Sequence, residues 1–114
     1  MEYTEVLRLL AINDQRFAGE CATGVESAEL DPKTQALVRL AALVAVGGAA
    51  PSYGAEVDAA VGAGSSPAEI VNVLIDVVPV VGLPTVVAAA TSLGMALGYD
   101  IEAALEQPSM DDLG

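Results

Sequence analysis

A chain of 114 residues fits one domain of ordinary size, and its net charge of −12 leaves four cations, Arg8, Arg16, Lys33 and Arg39. Nine acidic side chains and no cation follow Arg39, which argues against partnership with nucleic acid or with an anionic membrane surface. Some 54% of the residues are apolar, mostly Ala and Val, more than a small monomer hides, and this predicts a homo-oligomer.

The N-terminal stretch has the helical period, with Val6, Leu10, Phe17 and Cys21 on one face, and predicts one helix from about Tyr3 to Cys21. Cys21 is the single cysteine, which excludes an internal disulfide and agrees with a reducing, cytoplasmic setting. No basic-then-apolar leader pattern opens the sequence. A second helix is announced by Asp31 as N-cap and Pro32 in the first turn, and is closed by Gly47-Gly48. A short third one is expected from near Ser52 to Gly62 or Gly64. Ser66-Pro67-Ala68-Glu69 then has the form of a capping box, followed by the apolar stripe Ile70, Val73, Leu74 and Val77.

Pro79 is expected to end or kink that helix, and the next runs from about Pro84 to Gly98. The uncharged run Val77–Leu97 has the length of a membrane span, but Pro79, Gly82 and Pro84 interrupt it and no cation flanks it. Two helices around a break are the better reading. Asp100 is placed to cap a short last helix to about Glu106, and residues 108–114 form an acidic tail on a single domain of residues 1–107. The valines do not alternate with polar residues, so the expected fold is all-α, with about six helices.

The order "LDPKT", long apolar helix, short helix, "AGSSPAEIVNVL" and "VGLPTVVAAA" resembles the carboxymuconolactone decarboxylase family, which includes the alkyl hydroperoxidase D-type proteins. The resemblance covers about Leu30 to Leu105 and implies small helical subunits that associate as trimers or hexamers. Redox members carry a Cys-x-x-Cys-x-x-x-His run on the short helix. Aligned without a gap on "GSSP", those positions are Ala49, Ser52 and Glu56, and the family's upstream acid falls on Ala36 or Leu37. The decarboxylase branch has a histidine on that helix, and the same register again places Glu56 there.

A serine hydroxyl does not cycle through sulfenic acid, and Ala49 offers no disulfide partner, which argues against thiol peroxidase chemistry. Ser52, Tyr53 and Glu56 lie on successive turns, giving a candidate polar site with Glu56 as proton acceptor and Tyr53 and Ser52 as donors. The simpler alternative makes Ser52 a cap, Tyr53 a partly buried aromatic and Glu56 a solvated side chain. Arg39 interrupts the apolar "ALVRLAALVAV". A buried guanidinium there needs a carboxylate such as Glu56, Asp76 or one from a partner chain. It is either a clamp for a carboxylate substrate or a structural ion pair at a subunit contact. With no histidine, no metal site of the usual kinds is expected, and no glycine pattern implies a nucleotide or other cofactor. The expectation is therefore a non-redox family member that binds or transforms a small carboxylated or lactone metabolite, or else a catalytically silent oligomeric scaffold or binding module.

Overall fold

A computed structural model describes residues 2–22 and 29–99 together with Ile101, Ala103 and Glu106. It contains six helices, α1 (Tyr3–Ala11), α2 (Gln15–Ala22), α3 (Pro32–Val46), α4 (Ala50–Gly62), α5 (Pro67–Val81) and α6 (Leu83–Ala96). No strand occurs among the described residues. The capping predicted for Asp100 and the tail 108–114 lie outside them.

The continuous helix expected from Tyr3 to Cys21 is instead two. Asn13 takes a left-handed turn at φ 54°, which asparagine tolerates better than most residues. Asp14 then accepts the Phe17 N–H at 2.9 Å and starts α2. The later caps follow their local chemistry. Asp31 accepts the Thr34 N–H at 2.7 Å, with Pro32 just inside α3. Gly47, at φ 76°, ends that helix, and the Gly48 N–H reaches back to the Leu43 carbonyl in a Schellman ending.

α4 starts earlier than predicted. Ala49 is its N-cap without a side-chain bond, so Ser52 lies inside the first turn rather than capping it. Pro51 explains the shift, because a proline is accommodated in the first turn, where its missing N–H would have no partner.

At the start of α5, the Glu69 N–H donates to Ser66 Oγ and the Ser66 N–H donates to Glu69 Oε1, each at 3.1 Å. Lys33 of α3 also pairs with Glu69, Nζ to Oε2 at 2.6 Å, tying the starts of the two helices together. The hydrogen bond from Lys33, then that from the Ser66 backbone, holds the Glu69 carboxyl below the usual glutamate range. A carboxyl whose folded pKa is depressed stabilises the fold above its unfolded value, and this is lost as pH falls through the folded one. Replacing Ser66 by alanine removes one of the two reciprocal bonds. The expected loss is about 1 kcal/mol in urea unfolding, with an unchanged slope.

Pro79 does not end α5, which runs two residues further to Val81. It forfeits the ladder bond to the Ile75 carbonyl, on the exposed side of the helix where water can replace it. Gly82 alone separates α5 from α6. The uncharged run from Val77 to Leu97 is thus two helices, and no helix among the described residues is long and apolar enough to cross a membrane.

The core belongs to α3–α6. Leu40 and Val44, Tyr53, Val57 and Ala60, Ile70 and Leu74, and Val86, Ala89 and Leu93 form one buried cluster. The α1–α2 pair touches none of these four helices among the described residues. The radius of gyration is accordingly 17.3 Å. A compact chain of this length would give about 13 Å.

Candidate functional site

α4 packs against α3 and α6, and this fixes what its polar side chains can reach. Tyr53 is 1% exposed and is the bulkiest of the fully buried side chains. Its hydroxyl makes no hydrogen bond among the described residues, and burial raises the phenol above its ordinary pKa, so it remains a protonated donor.

The ring lines a cleft of about 400 Å³ between α3, α4 and α6, walled by Val44, Gly47 and Gly48 on one side and by Thr85, Ala89 and Ser92 on the other. This size is within the range of small-molecule pockets. Thr85 and Ser92 were not singled out in the sequence. Their signal is their seven-residue spacing on a mostly apolar helix, which puts both hydroxyls on one face.

The remaining candidate residues lie elsewhere. Ser52 is exposed, Glu56 is half-buried, and neither lines the cleft. Arg39, expected among buried neighbours, is exposed and forms no ion pair among the described residues. The reason is that α3 carries apolar side chains on its solvent face as well as its buried one. Its solvent face carries Val38 and Val46, 52% and 80% exposed, so apolar neighbours did not signal burial. Of the positions where the resemblance puts the family's upstream acid, Ala36 is buried and Leu37 half-buried, both on α3.

A second depression of about 560 Å³ runs between α3 and α5. Leu37, Val38 and Ala41 form one wall, and Ala68, Val73 and Val77 the other. Asp76 stands at its edge, where it accepts a hydrogen bond from Asn72 Nδ2 at 2.9 Å. Among the described residues, no group of three or more His, Cys, Asp or Glu could hold a metal ion.

A buried four-helix core with its one cleft-lining phenol on the short α4 defines a small all-α domain of the kind the resemblance implied. The carboxymuconolactone decarboxylase family pattern matches residues 13–93, and the chain belongs to that family. Comparisons with curated proteins and with solved structures find no match.

Proposed function

We propose that this family member binds a small lactone or carboxylated metabolite, without thiol chemistry, in the cleft lined by Tyr53. The observation that carries the reading is a buried phenol on the wall of a cleft of about 400 Å³, with no hydrogen bond among the described residues. Tyr53, Thr85 and Ser92 offer hydroxyl donors against otherwise apolar walls. A lactone suits such a lining, because its carbonyl and ring oxygens accept hydrogen bonds while its carbon skeleton replaces water against Val44 and Ala89. No cation lines the cleft among the described residues, so a free carboxylate on the ligand keeps its charge at the solvent side. If the ligand is also transformed, Glu56, one turn beyond Tyr53 on α4, is the proposed proton acceptor and Ser52 a further donor. Arg39, exposed on α3 and outside the cleft lining, is the proposed clamp for a carboxylate that projects beyond the cleft.

The exposure of Ser52 and Arg39 favours the second reading, a catalytically silent oligomeric module of the same family. One experiment separates the two. A panel of γ-lactones and their open-chain hydroxy acids is titrated into the parent, Tyr53→Phe and Glu56→Gln proteins, with binding followed by calorimetry and turnover by product analysis. A lactone should bind the parent about tenfold more tightly than Tyr53→Phe, the worth of one hydrogen bond. Equal affinity in the two proteins removes Tyr53 from the site. Turnover abolished by Glu56→Gln, with assembly intact, identifies the catalytic reading. Turnover unchanged by that substitution rejects the role of Glu56, and binding without turnover in the parent leaves the silent module.

A further inference from the structure

The α1–α2 arm has no surface of its own chain to rest on among the described residues. Helices of 9 and 8 residues are too short to persist in water by themselves. Yet α1 carries Tyr3, Leu7 and Leu10 at the spacing of one helical face, and they are 78%, 63% and 55% exposed. Such a stripe needs a complementary apolar surface to hold the helix. The bundle presents one in the groove between α3 and α5.

The geometry points to an exchange in which the arm of one copy lies in the α3–α5 groove of a second copy of this chain. Three observations choose this occupant. First, the α5 wall from Ala68 to Val77 and the whole of α1 are of similar length, about 15 and 13.5 Å at the helical rise. Second, small Ala41 and Ala68 leave room between the groove walls for large side chains, and the arm's face supplies leucines and a tyrosine. Third, charge matches at the edge. Asp76 faces no cation among the described residues, and Arg16 of the arm is exposed and unpaired among them. The arm touches neither α3 nor α5 of its own chain among the described residues, and the molecule is elongated, 61 Å against 28 and 21 Å across.

The test uses full-length chains with Cys21→Ser, so that no native thiol interferes. One chain carries Leu7→Cys and a differently tagged chain carries Val38→Cys, and the two are co-expressed. A disulfide joining the two tags on a non-reducing gel is the expected result. A chain bearing both cysteines that closes only on itself shows an arm seated on its own groove and overturns the exchange. Disulfides between two Leu7→Cys chains alone show arm-to-arm pairing and overturn it as well. In parallel, Leu7→Glu with Leu10→Glu should reduce the sedimentation mass to that of one chain while far-UV dichroism stays helical. A parent that sediments as one chain, or an oligomer indifferent to both glutamates, overturns the proposal.

Discussion

Replacing Tyr53 by alanine should lower stability by about 3–5 kcal/mol, the range for deleting a buried aromatic ring. Tyr53 is 1% exposed and sits in one cluster with Leu40, Val44, Val57 and Ala89, so its removal leaves α3, α4 and α6 facing a void. Because the ring also walls the cleft, truncation joins that void to an existing opening that water can enter, and the loss should fall near the lower end of the range. For a domain of ordinary stability this is a large fraction of the total, and a melting temperature roughly 12 °C or more below the parent is expected. Tyr53→Phe should melt close to the parent, since the hydroxyl it lacks has no intramolecular partner among the described residues. Thermal unfolding of both variants checks the assignment. A large loss in Tyr53→Phe would mean that the phenol serves the fold rather than a ligand.

What the sequence made legible was set by short-range chemistry. Asp31 with Pro32, the Ser66–Glu69 box and the left-handed Gly47 and Gly98 act within four or five residues of chain, and the structure has each where its neighbours imply. Ser52 shows the limit of such reasoning. A good capping residue loses its place when a proline before it can enter the first turn, and here Ala49 takes the cap position instead. The break at Asn13-Asp14 was present in the sequence as a turn former followed by a capping acid, but Val6, Leu10, Phe17 and Cys21 keep the helical spacing across it and masked it.

The site was less legible than the fold. In α3 nearly every side chain is apolar, so no periodicity distinguishes buried Leu40 and Val44 from exposed Val38 and Val46, nor announces that Arg39 points to solvent. The register with the redox motif pointed to α4, the helix that carries Tyr53. It is tertiary packing against α6, however, that buries Tyr53 and leaves Ser52 outside, and one helix's sequence does not encode that choice.

Gly82→Ala should destabilise the fold by about 1–3 kcal/mol. Gly82 is the sole residue between α5 and α6 and adopts φ 88°, ψ 151°, a region essentially restricted to glycine. Space is not the obstacle, since a Cβ there would meet nothing nearer than Pro84 Cδ at 3.9 Å. The penalty is therefore one of backbone conformation, and it differs in kind from the cavity left by Tyr53→Ala. Relief requires either unwinding the end of α5 or swinging α6, and Thr85 of the cleft lies only three residues beyond the elbow. Ligand affinity at the cleft should accordingly fall together with stability. Gly54→Ala, within α4 and with nothing within 4 Å of its Cβ, supplies the contrast. There alanine should stabilise by roughly 0.5–1 kcal/mol through helix propensity. Urea unfolding of the two alanine variants decides the matter, and equal stabilities would show that the elbow is not held in the strained conformation that makes Gly82 necessary.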